Sequence, residues 1–307
     1  MRRVGQIEIK PAMTVDSLIG EYGKAGVLGA GKLAEACSIF EEMVRDDATV
    51  LLGLAGPMCA SGLRKIISDL IREGVISGIV TSGANLVHDI IEALGGHHIV
   101  GDFRADDIEL HKKGYGRIGN VYAKVEDFVS FEDFIQDFLR TMSEEDIENL
   151  SPRELITEIG EHLEDRDSFI RAAYENNVPI FSPGISDSML GLQLFFFSQT
   201  NRISLNVIKD MKELSTLVLS SSKVGAIFLG GGIPKHYIMG ANLLREGFDY
   251  AVQITLDREE GGSLSGAKLE EGISWGKTKE KARVATVIGD ATIIFPIMAA
   301  SLMERVL

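Results

Sequence analysis

Short runs of β-branched and apolar residues alternate along the chain with segments whose apolar positions recur every three or four residues. "ATVLLGLAG" (48–56) has the continuous apolar character of a buried strand, and "SGLRKIISDLIREG" (61–74) the period of an amphipathic helix. "ISGIVTSG" (76–83) is the next strand, followed by the helix "ANLVHDIIEALGG" (84–96), which closes on paired glycines. Further strands are expected in "VPIFSPG" (178–184), "VGAIFLGGG" (224–232), "DYAVQITLD" (249–257) and "RVATVIGD" (283–290). Each stops at Gly, Ser, Thr or Asp and leads into a helix or loop. That alternation predicts an α/β fold, a largely parallel sheet with helices on both faces.

Between 125 and 176 the alternation stops. "VEDFVSFEDFIQDFLRTM", "SPRELITEIGEHLEDRD" and "SFIRAAYENN" are acidic amphipathic helices with no strand between them, and Ser151 with Glu154 has capping-box spacing. No linker composition flanks this stretch. It reads as a helical insertion within a single domain spanning 1–307, packed on the sheet.

Composition narrows the function classes. A chain of 307 residues with 45% hydrophobic content can bury a substantial core. No run of about 18 apolar residues is present to span a bilayer, and "MRRVGQIEIKPAM" lacks the apolar stretch of a secretory signal. Cys37 and Cys59 have no CxxC spacing, so a reducing, cytoplasmic setting is expected and neither a disulfide framework nor a metal site is. A net charge of -14 argues against nucleic acid as a partner.

In open parallel sheets ligands gather beyond the carboxyl ends of the strands. Those ends here read "TSGANL", "FSPGISDS", "LGGGIPKH" and "IGDAT". Glycine and small hydroxyl residues let backbone amides approach phosphate oxygens, while Asp187 and Asp290 stand where ribose-hydroxyl acceptors would. The "GGG" at 230–232 is not GxGxxG and GxxxxGK[ST] occurs nowhere, so the glycines also suit plain turns and each Asp also suits a helix N-cap.

His236 follows "GGGIPK" and is expected in the first turn of a helix, where the dipole favours the neutral imidazole that a general base needs. It equally suits a capping or packing role. "GISWGKTKEK" (272–281) sets the only tryptophan, Trp275, two positions before Lys277. A lysine can form imines with carbonyl-like electrophiles once deprotonated. An indole beside it offers an apolar wall against the ammonium form, or a face for a substrate cation. With Glu271 nearby, the group suits an amine substrate.

Taken together, "GSLSGAKLEEG" with "ISWGK", "LGGGIPKHYIMGANLLREGFDYAV", "IFSPGISDSMLG" and "GDATIIFP" resemble, in order and spacing, the deoxyhypusine synthase family, from about residue 15 onward. The resemblance implies a Rossmann-like fold that binds NAD, and a homotetramer with active sites shared between paired subunits. It implies that NAD accepts a hydride from spermidine, giving an imine that Lys277 attacks with release of 1,3-diaminopropane. The butylamine group then passes to one lysine of the translation initiation factor 5A precursor, and the new imine is reduced to deoxyhypusine. By the same resemblance His236 is the general base, and Glu271 and Trp275 are amine-binding. Thr81, Ser82, Gly83, Asp187, Gly231, Asp290 and Ala291 match cofactor contacts.

The chain also departs from the family's eukaryotic pattern. Leu86 and Val87 stand where a glutamate pair is expected, Leu192 and Leu264 replace acidic residues, and Pro57 replaces an asparagine. His88 and Asp89 are candidate substitutes. These changes leave the nucleophile intact and open a second reading, a homospermidine synthase-like transferase with a small amine as acceptor. A silent NAD-binding or scaffolding homologue is the third, and it would need neither Lys277 nor His236.

Overall fold

The computed structural model describes residues 2–306. Among them nine strands follow in chain order: β1 (Thr49–Leu54), β2 (Gly78–Thr81), β3 (Ile99–Val100), β4 (Tyr115–Ile118), β5 (Val121–Lys124), β6 (Ile180–Phe181), β7 (Val224–Leu229), β8 (Phe248–Thr255) and β9 (Thr278–Ile288). The chain divides into two compact units, each discontinuous in sequence. The first comprises Met1–Ala55, Glu73–Val80 and Met211–Leu307, the second Gly56–Arg72 and Thr81–Asp210.

The first unit carries the sheet, in the order β2–β1–β7–β8–β9. Pairing is parallel throughout the registers Thr49↔Val224, Gly225↔Tyr250 and Ala251↔Val284. β1, β7 and β8 are buried almost throughout, which is why they read as continuous apolar runs rather than alternating ones. Helices cover both faces. A Cβ at Gly225 would meet Met43 of the Leu28–Arg45 helix, whereas one at Gly53 would meet Phe228 and Ile238, the latter on the Gly232–Asn242 helix. Residues 225 and 228 of β7 point to opposite faces, as strand geometry requires. The expected α/β architecture with a parallel sheet is the one found.

β9 begins at Thr278, well before the apolar run near 283 that signalled it. It ends the strand order, so its early residues keep one side open and the charged stretch "TKEK" is tolerated there. A register shift between Phe248 and Tyr250 accommodates the extra length.

In the second unit the three-stranded sheet β3–β5–β4 is antiparallel. It escaped the sequence reading because its strands are two to four residues long and largely exposed. The expected helical stretch follows as Val125–Thr141, Glu144–Glu148, Pro152–Glu161 and Phe169–Glu175. The Ser151–Glu154 capping box is formed, with Pro152 at the first helical position. Phe131, Ile135, Leu155, Ile159 and Phe169 are its buried face. Asp89 anchors these helices from within. Its carboxylate accepts from Arg64, from Ser168 Oγ at 2.6 Å and from the Ile170 amide at 3.1 Å.

Candidate active site

A cavity of ≈ 320 Å³ in the first unit is lined by Lys235, His236, Leu264, Glu271, Trp275 and Lys277, among others. Its walls come from two segments. One is the Gly232–Asn242 helix that follows β7; the other runs from the glycine-rich 261–268 stretch through the 3₁₀ segment Leu269–Trp275 to the start of β9. Gly276 ends the 3₁₀ segment at φ 66°, a left-handed conformation that only glycine adopts without strain, and this turns the chain directly from Trp275 into Lys277.

Lys277 is held on both sides. Its amide donates to the Gly272 carbonyl at 2.9 Å, and its own carbonyl accepts from the Phe248 amide at 3.4 Å, at the amino end of β8. The carboxyl-end rule therefore accounts for Gly231, Asp290 and Ala291 but not for Lys277, which sits at the opposite edge of the β8–β9 pair. The Gly232–Asn242 helix, running back from the end of β7, brings His236 into the same cavity. Lys277 Nζ stands 5.8 Å from the Trp275 ring centroid. Trp275 is 66% exposed, so the indole is a flanking plate rather than an enclosing wall. Glu271 is exposed at the rim.

His236 lies in the second turn of its helix, not the first, because the helix already begins at Gly232. The dipole effect is confined to the first turn, so the expected dipole support is absent. The buried cation of this cavity is instead Lys235, 1% exposed, which the sequence reading passed over. Its ammonium donates to Gln253 Oε1 at 2.9 Å, to the Leu264 carbonyl at 3.0 Å and to the Ala267 carbonyl at 2.6 Å. Gln253 adds donor bonds to the carbonyls of Gly230 and Ser265, at 3.0 and 2.8 Å. Burial pulls Lys235 down to about 8, against the attraction of the Glu271 and Glu270 carboxylates. These two side chains clamp the glycine-rich stretch that forms the cavity wall. A lone glutamine inside the apolar run "YAVQIT" was the signal available for this hub.

The cofactor candidates divide between the units. In the first, a Cβ on Gly231 would lie 2.4 Å from Ser265 Cα, so its missing side chain is explained by close packing of the clamped loop. Ser265 Oγ accepts from the Gly232 amide at 3.0 Å. Asp290 Oδ1 accepts from the Thr292 amide and hydroxyl, both at 2.8 Å, in the manner of an N-cap, and Ala291 is buried as the first residue of the Ala291–Val306 helix.

In the second unit, Thr81 is fully buried and accepts from Asn85 Nδ2 at 3.2 Å. Ser82 and Gly83 open the Gly83–Ala93 helix, whose N-terminus has no side-chain cap. Gly83 packs so closely on Ser188 that a Cβ would come within 2.4 Å of Oγ. Ser188, not Asp187, caps the Met189–Ser198 helix, accepting from the Gly191 amide at 3.1 Å. Asp187 is exposed, and its carboxylate has no hydrogen bond or ion pair among the described residues. Of the departures from the eukaryotic pattern, Leu86 and Val87 are core residues, Leu192 is partly exposed, and Leu264 lines the Lys277 cavity with apolar surface. Asp89 is committed to Arg64 and Ser168, which removes it as a substitute contact.

Among the described residues no group of three or more His, Cys, Asp or Glu side chains is arranged to hold a metal ion, and no helix is long and apolar enough to cross a membrane.

The family model described as deoxyhypusine synthase matches residues 17–302. A protein of Methanothermobacter thermautotrophicus named "Probable deoxyhypusine synthase" is 48% identical over 303 residues, covering 98% of both chains. One of the same name from Methanopyrus kandleri is 48% identical over 295 residues, 95% of each. A crystal structure of a "putative deoxyhypusine synthase" from Entamoeba histolytica superposes with a TM-score of 0.69 at 22% identity, covering 96% of this chain and 94% of that one. With its lysine, tryptophan, histidine and glutamate gathered on one cavity, this chain belongs to the deoxyhypusine synthase family of transferases.

Proposed function

We propose that the protein is an NAD-dependent deoxyhypusine synthase, acting on spermidine and on one lysine of the translation initiation factor 5A precursor. The observation that carries this reading is the ≈ 320 Å³ cavity on which Lys277, Trp275, Glu271 and His236 meet. Glu271 offers a carboxylate to a polyamine ammonium, and the Trp275 face adds a cation–π contact worth about 0.5–2 kcal/mol depending on desolvation. His236, on the same wall, receives the proton that must leave the amine nitrogen. Lys277, in its neutral form, attacks the imine carbon; the carbon–nitrogen bond to 1,3-diaminopropane breaks, and the butylamine group stays on Nζ until an acceptor lysine displaces it.

The residues present fit a dinucleotide better in the second unit than in the first. The uncapped helix N-terminus at Ser82–Gly83 leaves amides for phosphate oxygens, and the unpartnered Asp187 carboxylate suits ribose hydroxyls. Asp290 has one oxygen committed to Thr292, leaving the other for a hydroxyl. NAD, when bound, supplies a hydride acceptor and later returns the hydride. A homotetramer in the cytoplasm completes this reading. The apolar helix Met189–Ser198, which leaves Phe195 and Phe196 about half exposed, supports association between chains.

A second reading, transfer to a small amine such as putrescine, is favoured by one observation. Leu264 gives the cavity an apolar wall where the family's eukaryotic pattern is acidic, which would change how an amine is selected. Purified protein incubated with NAD and labelled spermidine, with the factor 5A precursor, with putrescine or with neither, separates the readings by mass spectrometry. Label on the precursor lysine is the expected result; label on putrescine alone selects the second reading, and none in either overturns both.

A further inference from the structure

The second unit alone forms another cavity, of ≈ 270 Å³, walled mainly by Val87, Ile118, Val121, Phe128 and Met189. His88 stands in this wall at the end of a hydrogen-bonded chain. Glu92 Oε1 accepts from the His98 amide at 2.9 Å and from His98 Nδ1 at 2.6 Å; His98 Nε2 in turn lies 2.9 Å from His88 Nδ1. Both imidazoles are largely buried, and the His88 ring packs edge-on against Phe128 at 6.3 Å.

The carboxylate fixes the direction of the chain. Burial pushes the Glu92 carboxyl up, but the hydrogen bonds from His98 outweigh it and hold it down to about 2, so Glu92 only accepts. His98 Nδ1 therefore carries a proton, and in the neutral ring Nε2 is left as an acceptor. His88 Nδ1 donates to it, which leaves His88 Nε2 a bare lone pair. Burial keeps His88 neutral by lowering it to about 4. Other polar side chains of the wall are already engaged. The Ser188 hydroxyl donates to the Ile185 carbonyl at 2.6 Å and accepts from Gly191, while the Arg117 guanidinium is taken up by the Asp107 carboxylate and the Gly119 carbonyl. His88 Nε2 is thus a fixed acceptor in an apolar wall, without a partner among the described residues.

An acceptor so placed selects a donor, and the surroundings select against charge. A cationic head would lose its hydration beside Arg117, of the same sign, with Glu92 screened behind His98. We propose that this cavity is a ligand site for a small uncharged molecule with an apolar body and one N–H or O–H donor head, a primary carboxamide or an alcohol, held through His88 Nε2.

Full-length protein labelled with nitrogen-15 at histidine reads the chain directly by NMR. In the free protein His88 shows a protonated Nδ1 and an unprotonated Nε2. Benzamide is the probe, with benzylamine as its cationic counterpart and ethylbenzene as its donor-free one. Benzamide shifts the His88 Nε2 resonance saturably and binds about tenfold more tightly than either, the worth of one hydrogen bond to a buried acceptor. His88→Phe keeps ring volume, removes the acceptor and erases that preference. Should that variant fail to fold, Val121→Trp fills the cavity, leaves the chain of imidazoles intact and abolishes the benzamide shift. A protonated Nε2 in the free protein, equal binding of the three probes, or a benzamide shift that survives Val121→Trp each overturns the assignment.

Discussion

Lys235 and Lys277 line one cavity in very different surroundings. Lys235 has three oxygen acceptors for its three protons and almost no exposure, whereas Lys277 is half-buried and fixed only through its backbone. We predict that Lys277→Arg abolishes butylamine transfer with the fold unchanged, because a guanidinium does not deprotonate to attack an imine; transfer at a normal rate would end the nucleophile assignment. His236→Ala should slow single-turnover NADH formation by about 10²–10⁴-fold, the usual worth of a positioned base. An unchanged rate would mean that the proton leaves by another route. For Lys235 the prediction is a pH dependence. Its folded value of about 8 lies below the ordinary 10.5, so the unfolded chain binds the extra proton between those limits. Stability linked to this group is therefore fully present above 10.5 and lost as pH falls towards 8. Denaturant titrations should show wild type gaining on Lys235→Met across that window and running parallel to it below pH 8. Parallel curves throughout would mean that Lys235 titrates normally.

At the scale of elements, the two candidate ribose acceptors separate. Asp290→Ala removes an N-cap as well as a proposed ligand contact and should cost about 1 kcal/mol of stability. Asp187→Ala removes no side-chain bond among the described residues; it should weaken NAD binding, read by calorimetry, with Tm unchanged. Unaltered NAD affinity in both variants would leave these carboxylates with no part in cofactor binding. The parallel strands were legible because strands buried on both faces read as apolar runs, and the Ser151 helix because capping boxes are local. The β3–β5–β4 sheet was not, since short exposed strands carry little hydrophobic signal. Lys277, Trp275, Glu271 and His236 were legible as chemistry from their types and order. Their meeting on one cavity depends on the early start of β9 and on a helix running back along the sheet, and neither has a period to read. The Lys235–Gln253 clamp joins residues eighteen apart in sequence through contacts that only the folded chain creates.

At the scale of the whole molecule, Thr81, Ser82, Gly83 and Asp187 belong to the second unit, whereas Gly231, Asp290 and Ala291 share the first with Lys277, a division compatible with the proposed sharing of active sites between chains. The reading above predicts a tetramer of tight dimers, with Lys277 of one chain serving cofactor contacts of its neighbour. Mixing Lys277→Ala chains with Asp187→Ala chains should then restore part of the activity, since one class of hybrid site has both residues intact. A mixture that exchanges subunits freely and stays inactive would mean that each chain holds a complete site. Lys277 is anchored at both its amide and its carbonyl. A residue pinned between a 3₁₀ turn and a strand has only its side chain to extend, so it cannot swing out to meet a partner. In a transfer to protein, the recipient must bring its own lysine inward, and that sets a requirement of reach. A flat surface presenting the right residues would still go unmodified, whereas a lysine at the tip of a slender, protruding loop would be accepted with few other contacts. Lengthening or shortening that loop in a recipient should alter turnover more than changing the residues that flank the lysine.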